Sequence, residues 1–319
     1  MLAIMSGPSL SPTNDETAKI GIDYVVILVM ENASLNQTYD CHNYGCSYVS
    51  LLANDSSLAR NYYSQWCSSL PNYLVLIGGS DFGNPLCTSC NPVQCGSFWP
   101  IDEQNIVDRI EGSGRTWKAY FEDYPSGGSD DNYSSGGCYL SVNGKYVSWH
   151  NPFIYFKDIE NSANRCSKIF RANTLNSTEA PETDDVFLND LQSVSTAANF
   201  MWLTPNNCDN SHDQCWGDSR YAGGDLYLSV LVPKILNSPV FKSQRAALFI
   251  TWDEGACHDC SQELTSIWTG PVTKTRYCNC TTGPYYNHAS FPKTLETIWN
   301  LQTLGQLDMT APAMTEFFI

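Results

Sequence analysis

The chain has 319 residues, 42% of them hydrophobic, enough to bury a substantial core. Its 33 Asp and Glu outnumber 17 Lys and Arg, and the net charge of −16 leaves no basic surface to displace counterions from nucleic acid. Most of this acidity serves solubility, but an anionic substrate would need local compensation, most simply from a bound cation.

Residues 1–20 are rich in Pro, Ser, Thr and Asn and read as an extended arm ahead of a single domain over 21–319. They lack the basic start and long apolar run of an export signal, and no stretch of the chain is long enough for a transmembrane helix. The run Y-V-V-I-L-V-M over 24–30 has the length and β-branching of a strand buried on both faces. It ends abruptly in Glu31-Asn32, at the carboxyl end of a strand, where open α/β sheets place ligands. The plainer alternative is a strand that reaches solvent, with Asn32 starting a turn. Residues 36–55 are polar, with Cys41 and Cys46 close enough in sequence to staple a loop. Over 61–80, Ser69 is placed to cap a helix beginning near Leu70-Pro71 and closed by Gly78-Gly79. A Cys/Gly/Pro loop fills 81–99. Helical spacing over 105–114 ends on a glycine, 115–121 reads as a second strand, and 125–143 is Gly/Ser-rich and irregular. Trp149 to Phe153 opens an aromatic stretch without a clear end. A third strand over 197–205 runs into N-N-C-D-N-S-H-D-Q-C, helical spacing follows over 225–236, and the apolar run over 246–255 again ends in acids. An amphipathic helix over 291–304 closes the chain. Alternating strands and helices imply a mixed or parallel sheet covered on both faces.

Fourteen cysteines, mostly in loops, suit disulfides made in an oxidising compartment, extracellular or at the cell surface. Zinc is the rival at Cys87-x2-Cys90 and Cys257-x2-Cys260, but the remaining spacings fit no zinc template and there are only five histidines. Asn-x-Ser/Thr triplets at Asn36, Asn54, Asn132, Asn176 and Asn279 permit glycosylation.

Three strand-like runs therefore end in polar, metal-capable groups: Glu31-Asn32, Asn206 to Asp213, and Asp253-Glu254. In neighbouring parallel strands these endings would converge on one edge of the sheet, where they suit a hard divalent cation (Ca, Mg or Mn) or zinc with mixed oxygen and nitrogen ligands. Ser69 at a helix start has the amides and dipole of a phosphate cradle, and a metal or base could activate its hydroxyl. Together these features point to phosphoryl transfer.

The same residues carry a resemblance. V-V-I-L-V-M-E-N-A-S, S-L-P-N-Y-L-V-L-I-G-G-S, H-N-P-F-I-Y-F, W-L-T-P-N-N-C-D-N-S-H-D and F-I-T-W-D-E-G, in this order, resemble the phosphoesterase family of acid phosphatases and phospholipases C, within the alkaline-phosphatase superfamily. The resemblance implies a three-layer α/β/α sandwich with a mostly parallel central sheet, long disulfide-stapled loops and one divalent cation. It implies Glu31, Asn32, Ser69, Asp253 and Glu254 as metal ligands, Ser69 as nucleophile passing through a phosphoserine, and His212 or His150 as proton donor to the leaving oxygen. Asn32, Asn72, His150 and His212 would meet the substrate phosphate, with Asp213 and His288 less directly involved. The histidine-proline that often precedes the S-L-P-N-Y block is here Cys67-Ser68, which makes Ser68 a rival nucleophile. Other readings stay open: a phospholipase C or phosphodiesterase acting on lipid headgroups, or a non-catalytic, self-associating extracellular subunit with the same fold.

Overall fold

The computed structural model describes residues 21–39, 47–84, 88–125, 127–128, 130–174, 183–255, 262–280 and 283–319. The expected arm over 1–20, the Cys41–Cys46 staple and the Cys257-x2-Cys260 pair lie outside the described residues. The strands are β1 Tyr24–Met30, β2 Ser57–Leu58, β3 Tyr62–Tyr63, β4 Trp117–Phe121, β5 Ile169–Arg171, β6 Phe200–Thr204, β7 Ala246–Trp252, β8 Ile267–Thr269, β9 Tyr277–Cys278 and β10 Tyr286–Asn287. The helices are α1 Leu35–Thr38, α2 Tyr48–Asp55, α3 Ser69–Gly78, α4 Ile106–Gly112, α5 Lys157–Glu160, α6 Ala163–Cys166, α7 Asp185–Asp190, α8 Arg220–Leu236, α9 Pro239–Ser243 and α10 Ser290–Trp299.

Eight strands form one sheet in the order β5-β4-β6-β1-β7-β8-β2-β9, while β3 and β10 pair separately. From β5 to β7 every pairing is parallel, and β8 runs against β7. Helices α1, α2, α8 and α9 pack among themselves, and α3, α4 and α10 form a second group, so the sheet is covered as a sandwich requires. That cover explains the unbroken apolar runs: Val25 to Met30 in β1 and all of β6 and β7 are buried. Large rings fill the space between the layers, with Phe249 stacked on Trp268 at 4.5 Å and Trp117 on Phe153 at 5.4 Å. Among the described residues no helix is long and apolar enough to cross a membrane.

Register carries the sheet into the site. Met30 lies beside Trp252 in the β1–β7 pairing, so Glu31 and Asp253 leave adjacent strands at the same level. Leu28 lies beside Leu203, and three residues further along each strand stand Glu31 and Asn206. Main-chain bonds from Asp253 N to Met30 O (3.0 Å) and from Glu31 N to Asn210 O (2.8 Å) tie the endings together.

Three element boundaries differ from expectation. Helix α3 begins at Ser69 itself, with Ser68 in the N-cap position and Gly79 ending it at φ +71°. Helix α8 begins at Arg220, ahead of the expected 225, because Ser219 Oγ accepts from Ala222 N (3.1 Å) and packing overrides the weak propensity of Gly223-Gly224. Helix α10 stops at Trp299, with Asn300 left-handed at φ +53°. The aromatic stretch from Trp149 resolves into short 3-10 turns, Ser148–His150 and Pro152–Tyr155. Disulfides join Cys90–Cys95, Cys138–Cys166, Cys208–Cys215 and Cys278–Cys280. Cys90 therefore forms a disulfide rather than ligating zinc.

Candidate active site

The carboxyl ends of β1 and β7 and the first turn of α3 meet at one point. Ser69, the first residue of α3, is 6% exposed and donates through Oγ to Glu31 Oε2 at 3.2 Å. The Asn32 main-chain N–H first, and then the Ser69 hydroxyl, hold the Asp253 carboxyl down against its burial, and the hydroxyl does the same for Glu254. Asp253 Oδ1 accepts from Asn32 N (3.0 Å) and Glu254 N (2.6 Å), which locks the carboxylate between the two loops. Ser68, the rival nucleophile, turns away and shares a hydrogen with Ser89 Oγ at 2.8 Å.

Burying three carboxylates together disfavours ionising all of them. Burial, then Asp253 and Glu254, pushes Glu31 well above the usual carboxylate range. Burial pushes Asp253 up to about 6, and burial with the Asp253 charge pushes Glu254 up to about 9. Among the described residues, Glu31 Oε1, Asp253 Oδ2 and His150 Nε2 are buried without hydrogen-bond partners. Glu31 Oε1 and His150 Nε2 are 3.0 Å apart but not aligned for a hydrogen bond. Buried carboxylate oxygens without donors favour a positive charge at this point. No group of three or more His, Cys, Asp or Glu among the described residues is set as a ready-made metal cluster. The donor set nevertheless suits a hard divalent cation: three carboxylates and a hydroxyl.

The histidines divide. His150 is buried and stacks on Tyr73 (5.4 Å, 19°), and burial followed by the nearby His212 holds its pKa well below the ordinary value. The His212 ring lies 6.0 Å from that of His150, is partly exposed, and is braced by Asp213 Oδ1 at 2.8 Å from Nδ1. His288 stands behind the acids: Nε2 donates to the Asp253 carbonyl (2.6 Å) and Nδ1 accepts from Tyr62 OH (3.0 Å). Burial depresses its pKa to about 4, so this neutral tautomer persists. Asp213 reaches the site only through His212.

Asn72 departs from the phosphate contact that the resemblance implies. Its oxygen accepts from Gln65 N (3.3 Å) and Trp66 N (3.1 Å), and its nitrogen donates to Trp66 O (2.8 Å) and Ser68 O (3.0 Å). The fully buried amide is committed to the loop before Ser69 and has nothing left for a phosphate.

Two further residues belong to the site and had no reading in sequence. Tyr73 follows Ser69 by one helical turn and buries its hydroxyl near Glu31, a position that i, i+4 spacing could have flagged. Arg220 donates to His212 O (3.1 Å) and Asn32 O (3.1 Å), joining two loops that are strained at Asn32 (φ +45°) and Ser211 (φ +80°). Gly224 is required opposite Ser211, since a Cβ there would meet Ser211 Oγ at 1.9 Å.

This fold is shared with solved structures. A Vibrio parahaemolyticus protein in the alkaline phosphatase superfamily aligns with TM-score 0.59 at 12% identity, covering 93% of this chain and 71% of that one. The periplasmic domain of EptC from Escherichia coli, in complex with Zn, aligns at 0.51 and 9% identity, covering 89% of this chain and 84% of that one. Residues 39–302 match the Phosphoesterase family, and the chain belongs to it. It is 25% identical to a probable acid phosphatase of Kluyveromyces lactis, over 88% of this chain and 59% of that one. It is also 25% identical to a phosphatidylinositol-3-phosphatase of Mycobacterium tuberculosis, over 92% of this chain and 82% of that one. The chain spans less than two thirds of the length of the fungal acid phosphatases that it matches.

Proposed function

We propose that this protein hydrolyses phosphoric monoesters, with Ser69 as nucleophile and residues 21–319 acting as one catalytic domain. The observation that carries this reading is the Ser69 hydroxyl at the start of α3, 3.2 Å from Glu31, whose strand ends level with the one that leads into Asp253 and Glu254. Membership of the phosphoesterase family and likeness to acid phosphatases support it. The disulfides support work in an oxidising compartment, extracellular or at the cell surface.

Glu31, Asn32, Ser69, Asp253 and Glu254 would hold a divalent cation, which when bound supplies the positive charge that favours an ionised Ser69 oxygen. The amides of the first turn of α3 would receive the phosphoryl oxygens, with the Asn32 side chain and the neutral His150 ring as further phosphate contacts. Ser69 Oγ, its proton lost to solvent, attacks phosphorus in line as the ionised oxygen, forming the seryl P–O bond as the P–O bond to the alcohol breaks, and leaves in the same ionised form in the second step. His212, oriented by Asp213, delivers a proton to the departing alcohol oxygen. Water then attacks the phosphoserine from the vacated side, gives a proton back to His212, and releases phosphate and Ser69.

Ser69→Ala tests this directly. Turnover of 4-nitrophenyl phosphate should fall by at least about a thousandfold, with the urea unfolding midpoint unmoved. Retention of turnover within about tenfold of wild type would remove Ser69 as nucleophile.

A further inference from the structure

The loop that joins β6 to α8 carries His212, and its two halves are held differently. The first half is buried, with Cys208 5% exposed and Asn206, Asp209, Asn210 and Ser211 less than that. Asn206 Oδ1 accepts from Cys208 N (2.9 Å) and Asp209 N (3.2 Å), and Asn206 N donates to Glu122 Oε2 (2.8 Å), so this half is fixed to the end of the sheet. The second half, from Asp213 to Cys215, is exposed. Asp213 braces His212, yet their side chains are 55% and 34% exposed, and an ion pair open to water orients a ring only weakly. The His212 ring nevertheless stands 6.0 Å from that of buried His150, whose Nε2 lies 3.0 Å from Glu31.

Backbone constraints therefore have to keep the ring at the site. Asp213 N donates to Asn207 O (2.8 Å), and Arg220 donates to His212 O (3.1 Å). The remaining tie is covalent. Cys215 is joined to Cys208 by a disulfide with a sequence separation of 7 and Cα atoms 5.2 Å apart. That bond fastens the exposed half to the buried half and closes the chain around His212 and Asp213, which removes backbone freedom that water-exposed hydrogen bonds alone would leave. Cys90–Cys95 and Cys278–Cys280 enclose no residue of the site, and Cys138–Cys166 encloses His150 only within a separation of 28.

The structure assigns Cys208 and Cys215 as positioning residues: their disulfide holds the His212–Asp213 pair at the phosphoryl site, so that proton delivery to the departing alcohol depends on the bond being intact. This role rests on the phosphatase reading with His212 as proton donor. A disulfide that only stabilised the fold would leave the choice among leaving groups untouched. A displaced proton donor instead slows release of a basic alkoxide far more than release of a weakly basic nitrophenolate.

The ratio of kcat/KM for ethyl phosphate to that for 4-nitrophenyl phosphate reads this difference. His212→Asn should lower the ratio by about a hundredfold, and Cys208→Ser combined with Cys215→Ser by about tenfold. Trp216 Nε1 donates to Asp209 Oδ1 (2.9 Å) just beyond Cys215, and the first half keeps its own hydrogen bonds, so the double variant should retain its core. If urea unfolding shows that it does not, wild type is treated with graded dithiothreitol and then alkylated. The dithiol gives two electrons and two protons to each disulfide it opens and leaves as a cyclic disulfide, and mass spectrometry of peptides identifies the cysteines released. The ratio should then fall in step with alkylation of Cys215. A ratio that stays within about twofold of wild type in the double variant, or as Cys215 is alkylated, while His212→Asn lowers it, would overturn the positioning role alone. A ratio unmoved by His212→Asn would remove His212 as proton donor and this role with it. Failure of wild type to hydrolyse either ester would overturn the phosphatase reading itself.

Discussion

Replacing Asn72 with Ala separates two roles for one buried amide. A phosphate-contacting asparagine would be lost with weaker substrate binding and an unchanged fold. The structure assigns it four hydrogen bonds to the main chain of Gln65, Trp66 and Ser68. At about 1 kcal/mol net for each neutral bond, their loss amounts to about 4 kcal/mol. Partial exposure of Gln65, Trp66 and Ser68 lets water recover some of it, giving about 3 kcal/mol. Against a typical stability of roughly 5–15 kcal/mol that is a large fraction. Urea unfolding of wild type and Asn72→Ala, followed by tryptophan fluorescence, should show this loss in the midpoint, with slope unchanged. Turnover should fall as well, because the freed loop no longer fixes the start of α3. A variant less than about 1 kcal/mol weaker than wild type, but with a strongly raised KM, would refute the clamp and restore the phosphate contact.

Two other outcomes follow from the acidic groups. Protein dialysed against a chelator should melt lower than protein given millimolar divalent cation, the gap approaching about 2.7 kcal/mol at a hundredfold excess over Kd. Asp253→Asn should abolish that gap, and an equal gap in the variant would place any bound cation elsewhere. Glu296, buried beside Asp308, is pushed up to about 7 by burial first and then by Asp308. Its folded form keeps the proton that the unfolded chain loses above about 4.5, so its contribution to stability falls as pH rises from about 4.5 to 7. The full swing is at most about 3 kcal/mol, and Glu296→Gln should flatten it in unfolding curves taken across that window. An unaltered pH slope in the variant would show that this group does not titrate there.

The convergence of Glu31 and Asp253 was legible because parallel strands covered on both faces read as unbroken apolar runs, so their ends are conspicuous. The β1–β7 register then brings those ends level. Ser69 was legible through Leu70-Pro71 and Gly78-Gly79, although the helix begins one residue earlier than a capping role would place it. The main-chain partners of Asn72 were not legible, because an amide one turn inside a helix has the same sequence signature whether it turns outward to a ligand or back to its own loop. The disulfide pairings depend on Cα separations of 4.9–5.5 Å, which spacing along the chain does not encode. Arg220 was beyond reach for a related reason. Its partners across the site are main-chain carbonyls of residues 32 and 212, and a carbonyl has no residue type to read.

The position of Arg220 bears on how the site is held. Asn32 and Ser211 both adopt left-handed backbone, each costing roughly 1–3 kcal/mol, and each flanks a residue whose side chain the chemistry needs. Such conformations persist only where their surroundings impose them. Around Asn32 the constraint comes from Asp253 Oδ1 on its amide and Arg220 on its carbonyl. Around Ser211 it comes from Asn210 Oδ1 accepting from His212 N (2.8 Å) and Arg220 on His212 O, while Gly224 leaves room for the Ser211 side chain. One guanidinium thus joins the loop that follows Glu31 to the loop that carries His212, which fixes the two loops against each other. That rigidity is what an in-line displacement demands, since both the attacking and leaving oxygens must be addressed at once.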